Sequence, residues 1–324
     1  MTNNAERRTN MSSKITIIGA GSVGSTIAYT LSQKSIASEI VLIDINRQKA
    51  EGEVMDIDQG TSFREPISIV AGDYPDAADS DIVIITSGIA RKPGQTRIEL
   101  TQTNVNIMKS ITPEIVKVAP KALYIIVSNP CDIMTYAFAK ISGLPENQIL
   151  GSGTALDTAR LRCRLSQHYG VSEKNHPRLC IRRAWRYFLC TVVQSLVVRC
   201  DPSMNLYKIV HEDQKDMQPL DREEVLEYVH TSGSTVIAKK GATFYAVAVS
   251  VCRLCSLLLA ASDTIVSVST MLHGEYGVED VCLSTMASIG PEGVKRIVRV
   301  PLTEEETEKA SCKRQCSEGR DRTD

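Results

Sequence analysis

Four features of the sequence could carry chemistry on a small anionic substrate. Asp157 and Arg160 are three residues apart in a stretch of helical character, so their side chains fall on one helical face. The arginine can bind a carboxylate through two parallel hydrogen bonds, and the aspartate can orient a catalytic histidine. Asn129 offers an amide to a substrate oxygen, and the cationic segment 91–97, hinged by proline and glycine, suits a lid over an anion. Taken singly, only the lid favours function, because the others equally suit an ion pair or a helix cap.

A glycine-rich turn between two apolar runs indicates a nucleotide-binding loop. The turn is GAGSVG at 19–24, and Asp44 ends the second run. In such a loop Gly19 permits the tight turn, Gly21 lets the backbone approach a pyrophosphate, and Gly24 lets the following helix pack close to the strand. The helix N-terminus offers amides to the phosphates, and the aspartate accepts hydrogen bonds from a ribose diol and repels a 2′-phosphate. The pattern therefore predicts a binding site for NAD rather than NADP. The alternative interpretation is that the segment is a glycine-rich turn of another α/β protein, with no dinucleotide site.

The chain alternates strands and helices up to about residue 150 and changes character afterwards. Short Ile- and Val-rich runs are typical of buried parallel strands, which we predict at 15–18, 39–44, 67–71, 81–87 and 123–128. Predicted helices span 23–34, 101–118, 157–169, 222–240 and 244–260, with a late strand at 264–270. We therefore expect a Rossmann-type doubly wound parallel sheet followed by an α+β substrate domain. The expected divisions are a disordered tail at 1–13, an NAD-binding domain at 14–150 and a substrate domain at 151–324.

Composition argues against several classes of function. The 324 residues carry a net charge of −1, which favours neither nucleic acid nor an anionic membrane as a partner. No apolar run reaches the ~18 residues of a membrane-spanning helix, and the polar N-terminus lacks a signal peptide, so we expect a cytoplasmic protein. The ten cysteines show no zinc-site spacing, and we expect no metal.

Several motifs, in order and with matching separations, resemble the lactate/malate dehydrogenase superfamily, most closely its bacterial L-lactate dehydrogenases. They are GAGSVG (19–24), LIDI (42–45), SGIARKPGQTR (87–97), IIVSNPCDIMTY (125–136), GSGTALDTARLR (151–162), KKGATFYAVA (239–248) and VSTMLHGEYGVEDVCLS (268–284). The resemblance covers about 14–175 and 222–309. It implies NAD as cofactor, a small 2-oxo or 2-hydroxy acid as substrate, and a homotetramer.

The resemblance also implies a role for each matching residue. Arg97 would close over the substrate and polarise its carbonyl, Arg160 would bind its carboxylate, and Asp157 would hold the catalytic histidine. Further substrate contacts are implied for Arg91, Asn129 and Thr243. Contacts with NAD are implied for Gly19, Gly21, Val23, Gly24, Asp44, Lys49, Tyr74, Gly88, Ile89, Ser110, Val127, Ser128, Asn129 and Ser152. Arg162 matches a position that binds a sugar bisphosphate activator.

The histidine that shuttles the substrate proton in this superfamily is missing from the printed chain. In the family this histidine lies in a Gly-Glu-His-Gly-Asp motif, which should put it at position 184. This chain has Ala184 there, and the segment 176–190 resembles nothing in the family. One permitted set of codons for this segment, read one nucleotide later, encodes Ile-His-Ala-Tyr-Val-Phe-Gly-Glu-His-Gly-Asp-Thr-Ser-Phe-Ala, with the histidine in register. The single codon of Trp185 forces the glycine that follows that histidine.

The C-terminal tail supports the same explanation, because 310–323 shifted in the same way can encode an amphipathic final helix. We infer frameshifts at about 176–200 and 310–324, caused by a sequencing error or a decaying gene. Frameshifts also explain why cysteines crowd the second half of the chain. We expect the printed chain to keep NAD binding and to lose turnover.

Arg91 leaves the substrate open. Lactate enzymes usually carry Gln at this lid position and malate enzymes Arg, because a buried cation facing the methyl group of pyruvate is poorly compensated. The other motifs resemble lactate enzymes, so we expect L-lactate dehydrogenase activity, with malate dehydrogenase as the alternative. A catalytically inactive NAD-binding protein is a further alternative, favoured by the missing histidine and disfavoured by its out-of-frame motif. An unrelated nucleotide-sugar or short-chain reductase would leave Arg97, Asp157 and Arg160 unexplained.

Overall fold

A computed structural model describes residues 13–63, 65–89, 97–169 and 221–299. Arg91, Ala184, the segments 176–200 and 310–324 and almost all of the predicted tail lie outside the described residues. The strands are β1 (Lys14–Ile18), β2 (Glu39–Ile43), β3 (Ser68–Ala71), β4 (Ile82–Ile85), β5 (Leu123–Ile126), β6 (Ile149–Gly151), β7 (Thr264–His273), β8 (Glu279–Gly290) and β9 (Gly293–Ile297). The helices are α1 (Ser22–Gln33), α2 (Arg47–Gln59), α3 (Arg97–Val118), α4 (Cys131–Ser142), α5 (Ala155–Tyr169), α6 (Arg222–Lys240) and α7 (Tyr245–Leu258).

The described strands form one sheet, in the order β3-β2-β1-β4-β5-β6-β7-β8-β9. The six strands β3, β2, β1, β4, β5 and β6 run parallel to one another. Beyond β6, the strands β7, β8 and β9 each pair antiparallel with the strand before them. The strand order reverses between β1 and β4, which opens the crevice where ligands of doubly wound sheets bind. The predicted Rossmann-type sheet with a later α+β part is therefore confirmed.

The central parallel strands are buried because helices cover both faces of the sheet. All four residues of β4 are fully buried. Ile15 and Ile17 of β1 pack in an apolar cluster with α1 and α7, whereas Ile18 and Tyr124 pack on the opposite face with α3 and α4. The Tyr124 hydroxyl donates to the Ala119 carbonyl oxygen at 2.8 Å, so this polar group is satisfied inside the core.

Two strands end two residues earlier than the apolar pattern predicts. β4 ends at Ile85 and β5 at Ile126, whereas the predicted strands continued to 87 and 128. The hydroxyls of two residues that follow donate to neighbouring backbone carbonyls, Thr86 to that of Ile18 and Ser128 to that of Ser87. The turns after these strands form the edge at which the candidate site lies.

The second half of the chain contains more strand than the sequence pattern indicates. β7 extends to His273, and β8 and β9 were not predicted at all. β8 buries Ser284, Thr285 and Ser288 instead of a continuous apolar run, which hides the strand from a hydrophobic pattern. Two helices also begin at least two residues earlier than predicted, α3 at residue 97 and α5 at residue 155.

The close approach of α1 to the turn after β1 depends on the absence of a side chain at Gly24, which lies against the Gly19 backbone. A Cβ atom on Gly24 would lie 1.8 Å from the Gly19 carbonyl oxygen, closer than any real contact. Gly19 itself has φ +110°, and a Cβ there would lie 2.6 Å from Thr86 Oγ1. Both glycines are therefore required by the packing of strand, turn and helix, as the sequence predicted.

We predict that Gly24→Ala lowers the free energy of unfolding by about 3 kcal/mol, because the added methyl group must push α1 away from the sheet. Gly52→Ala is the matched control, since Gly52 lies in α2 where a Cβ meets nothing within 4 Å. The control should gain about 0.5–1 kcal/mol from helix propensity. Urea unfolding measures both variants, and an undiminished stability of Gly24→Ala would contradict the contact.

Candidate functional site

The candidate site lies where the carboxyl ends of the parallel strands meet. The turn 19–21 follows β1, Asp44 follows β2, residues 86–89 follow β4 and residues 127–129 follow β5. Ser152 follows β6 directly. Because these ends share one edge of the sheet, residues that are far apart in sequence converge on the crevice at the β1/β4 reversal.

The glycine turn leaves space and amide groups in front of α1. Gly21 precedes the helix in an extended conformation, with φ −74° and ψ 179°, and no side chain of the described residues caps the helix. A Cβ on Gly21 would meet nothing within 4 Å, so this glycine is not required by the packing of the protein itself. The open space, the first-turn amides and the helix dipole fit a pyrophosphate.

Asp44 is held against the glycine turn by backbone amides. Its Oδ2 accepts from the Ala20 amide at 2.7 Å, and its Oδ1 accepts from the Asn46 amide at 2.8 Å. This fixes a carboxylate beside the turn, where the ribose diol of NAD is expected. Arg47, the nearest cation along the chain, pairs with Glu51 and Asp73. Its charge is therefore compensated within the protein, which favours NAD over a 2′-phosphorylated cofactor.

Hydroxyl groups tie the turns after β1, β4 and β5 together. Thr86 Oγ1 donates to the carbonyl oxygens of Ile18 and Gly19 at 3.1 and 3.0 Å, and Ser87 Oγ donates to that of Ile18 at 3.0 Å. Ser128 Oγ donates to the Ser87 carbonyl oxygen at 2.5 Å. The predicted cofactor residues in these turns, among them Gly88, Val127 and Ser128, therefore belong to one connected framework.

Asp157 and Arg160 lie on one helical face, as their spacing predicts, and they form an ion pair that is largely buried. Arg160 Nη1 donates to Asp157 Oδ1 at 2.8 Å, and the two side chains are 10% and 2% exposed. A carboxylate is costly to bury unless a charged partner binds it, so the pair must be kept together. α5 begins soon after β6, which places this pair near the sheet edge. A guanidinium here can present its fork of donors to a substrate carboxylate.

The remaining predicted residues occupy varied positions. Val23 is half-buried on α1, and Tyr74 is half-buried after β3, where burial raises the pKa of its hydroxyl. Lys49 and Ile89 are exposed. Ser110 is also exposed, and its hydroxyl donates to the Ile107 carbonyl oxygen of its own helix.

Three further predicted residues belong to the substrate side. Thr243 is half-buried between α6 and α7, and Arg162 is half-buried on α5. Arg97 begins α3, but its side chain lies outside the described part of the structure, as does all of Arg91. The functional roles of these residues, and of Lys49 and Ser110, stay predictions.

Asn104 is a site residue that the sequence analysis missed. It lies on the buried face of α3 together with Met108 and Ile111, and it is 3% exposed. Its side-chain amide binds the backbone of Ile89 and of Asn129, and so it contacts the turns after both β4 and β5. The available signal was a fully polar side chain at an apolar-face position of a predicted helix.

The cysteines of the described chain are buried or half-buried thiols that form no disulfide. Cys131 follows the Asn129–Pro130 peptide, and burial raises its pKa to about 11, so it is a neutral thiol at physiological pH. Burial likewise raises the pKa of Cys252 to about 12. Within the described ranges no cluster of three or more His, Cys, Asp or Glu side chains could hold a metal ion. No helix in those ranges is long and apolar enough to span a membrane.

We predict that Gly21→Ala leaves folding almost unchanged but weakens NADH binding at least about tenfold. The backbone dihedrals of Gly21 suit an L-residue and its Cβ meets no protein atom, yet the methyl group would fill the space in front of the α1 amides. Calorimetric titration with NADH and urea unfolding measure the two effects separately. Equal NADH affinity in the variant and the unaltered chain would show that the pyrophosphate does not bind there.

Comparisons with known proteins agree with this geometry. The family described as lactate/malate dehydrogenase, NAD binding domain, matches residues 13–151, and the family described as lactate/malate dehydrogenase, alpha/beta C-terminal domain, matches residues 202–315. L-lactate dehydrogenase 1 of Clostridium acetobutylicum is 41% identical over 293 residues, which cover 90% of this chain and 92% of the relative. The L-lactate dehydrogenase of Acetivibrio thermocellus is 42% identical over 293 residues, 90% of this chain and 91% of the relative.

Solved structures show the same similarity. The minor L-lactate dehydrogenase of Enterococcus mundtii, in its ligand-bound form, has a TM-score of 0.84 and 29% identity, covering 97% of this chain and 99% of that one. A lactate dehydrogenase from a deep-sea metagenome library has a TM-score of 0.84 and 31% identity, covering 94% and 98%. With both family domains and an NAD cradle at the sheet edge, the chain belongs to the lactate/malate dehydrogenase family of NAD-dependent oxidoreductases.

Proposed function

We propose that this chain derives from an L-lactate dehydrogenase, which interconverts pyruvate plus NADH and L-lactate plus NAD. The observation that carries the proposal is the buried Asp157–Arg160 pair at 2.8 Å, near the edge that holds the cofactor turns. A carboxylate-binding arginine next to a nicotinamide cofactor suits a 2-oxo acid. The names of the relatives in Clostridium acetobutylicum and Acetivibrio thermocellus support lactate as the substrate class.

The cofactor position follows from the order of the strands. Asp44 would hold the adenosine ribose, and the turn at Gly21 would hold the pyrophosphate. The turns after β4 and β5 lie across β1 from Asp44, so they would surround the nicotinamide end. When bound, NADH supplies the hydride. The protein supplies the orientation of the two reactants and the charge that stabilises the substrate oxygen.

The substrate side combines one described pair with residues assigned by prediction. Arg160 would bind the substrate carboxylate. Asp157, which we assign to holding the catalytic histidine, also accepts a hydrogen bond from the Arg160 guanidinium. Asn129 offers its amide to the substrate oxygen, Arg97 polarises that oxygen, and Thr243 lines the site. Each of these groups binds or orients, and none of them is a proton donor suited to neutral pH.

The proton step is where we propose that the printed chain fails. The position expected for the proton-shuttling histidine holds Ala184, and an alanine can neither donate nor accept a proton. We propose that frameshifts at about 176–200 and 310–324 removed this residue and altered the C-terminal tail. Cofactor binding would survive this change, because the cradle is built from residues before 153.

Several finer features complete the proposal. We assign residues 14–150 to NAD binding and 151–324 to the substrate side. A homotetramer, a sugar bisphosphate activator at Arg162 and a cytoplasmic location are typical of the bacterial lactate enzymes that the motifs resemble. Malate dehydrogenase stays the second candidate, because Arg91 suits the extra carboxylate of oxaloacetate.

We predict that correcting the frame raises the turnover of pyruvate at least about a thousandfold, because a general acid is restored to the site. The comparison is between the printed chain and a chain in which 176–200 is read one nucleotide later. Ala184→His alone is the matched control and should recover little, because its neighbours stay out of frame. The proposal would be refuted if the printed chain reduced pyruvate at the rates of ordinary lactate dehydrogenases. Repeated DNA reads that encode Ala184 in an intact frame would rule out a sequencing error.

We predict that Arg91→Gln, made in the frame-corrected chain, raises the ratio of kcat/KM for pyruvate to kcat/KM for oxaloacetate by roughly a hundredfold or more. Removing the cation deletes a partner for the second carboxylate and removes an uncompensated charge near a methyl group. Arg162→Gln is the matched control, because it makes the same chemical change at the proposed activator position. An unchanged ratio in Arg91→Gln would mean that residue 91 does not select the substrate.

A further inference from the structure

A buried side-chain amide connects the two turns that would surround the nicotinamide end of the cofactor. Asn104 of α3 is 3% exposed. Its Oδ1 accepts from the Ile89 amide at 2.9 Å, and its Nδ2 donates to the Asn129 carbonyl oxygen at 2.7 Å. The same Nδ2 reaches the Ile89 carbonyl oxygen at 3.4 Å. Both ends of the amide are therefore used: Oδ1 binds the turn at Ile89, and Nδ2 binds both that turn and the turn at Asn129.

The two turns carry different parts of the predicted machinery. Ile89 is the last described residue before the segment 90–96, which includes Arg91. Asn129 carries the amide that we assign to the substrate oxygen. Gly88 allows the first turn to approach, because a Cβ on it would lie 3.3 Å from Asn104 Oδ1 and its φ is +158°.

We infer that Asn104 is a positioning residue, which sets the separation and orientation of the turn at Ile89 and the turn at Asn129 around the nicotinamide and the substrate. It acts through the backbone of these residues and does not itself touch substrate. This inference rests on the proposed cofactor position. Only a side chain with a donor and an acceptor at the two ends of one plane satisfies both contacts. An aspartate would set a second acceptor against the Asn129 carbonyl oxygen, and a leucine would leave both backbone groups without a partner.

The effect of Asn104 should be confined to one half of the cofactor site. Asp44 and the glycine turn, which would bind the adenosine half, are connected to each other through the Ala20 amide. They lie on the other side of the strand-order reversal from the turn at Asn129. A loss of Asn104 should therefore weaken binding of the whole dinucleotide more than binding of its adenosine half.

The test compares ligand binding by the full printed chain and three variants, measured by calorimetry with NADH and with ADP-ribose, which lacks nicotinamide. Asn104→Leu should weaken NADH binding about tenfold and change ADP-ribose affinity less than about twofold, since the three hydrogen bonds that are lost all lie at the nicotinamide end of the site. Asn104→Asp should also weaken NADH, although it keeps the acceptor for the Ile89 amide. Asn106→Leu is the matched control, because Asn106 is exposed on the same helix, and both affinities should stay unchanged.

Hydrogen–deuterium exchange without any ligand gives a second reading. The Ile89 amide should lose protection in Asn104→Leu and keep it in Asn104→Asp. Unchanged NADH affinity in Asn104→Leu, or an equal loss for NADH and ADP-ribose, would overturn the positioning role. Failure of the unaltered chain to bind either ligand would instead overturn the proposed cofactor position, and the inference with it.

Discussion

The contact between Gly24 and the Gly19 carbonyl oxygen is the constraint on which the cofactor site depends. Without a side chain at Gly24, α1 packs directly against the turn after β1, and its first amides point toward the sheet edge. The Asp44 carboxylate then closes the other side of the turn through the Ala20 amide. The turn, the helix and the acid form one rigid unit, and the space beside Gly21 is what remains for a pyrophosphate.

The rest of the site extends from this unit by hydrogen bonds rather than by apolar contacts. Thr86 and Ser128 bind backbone carbonyls in the neighbouring turns, and Asn104 connects the turns after β4 and β5. The Asp157–Arg160 pair lies near the same edge, on the side that we propose for the substrate. Such a framework binds and orients reactants, but it cannot exchange a proton with them. In the proposed account, the cradle is complete and the proton donor is missing because the frameshift falls after the cofactor-binding residues.

The parts of the site that were predictable from sequence are those set by local spacing. The glycine turn, the position of Asp44 beside it and the shared helical face of Asp157 and Arg160 each depend on a few nearby residues, and the structure has all three. The burial of the Asp157–Arg160 ion pair was not predicted. The strands β8 and β9 and the residue Asn104 were missed, because their burial depends on elements far away in sequence. Ser284 in β8 and Asn104 in α3 are polar residues at core positions, which a hydrophobic pattern does not reveal.

The central claim is that this chain keeps its cofactor site and has lost its proton donor. It is tested most directly by following the fluorescence of NADH bound to the printed chain when pyruvate is added in a stopped-flow instrument. The account predicts saturable NADH binding and a fluorescence signal that does not decay through oxidation after pyruvate or oxaloacetate is mixed in. Rapid loss of bound NADH at the rates of an ordinary lactate or malate dehydrogenase would contradict the account, as would an absence of NADH binding.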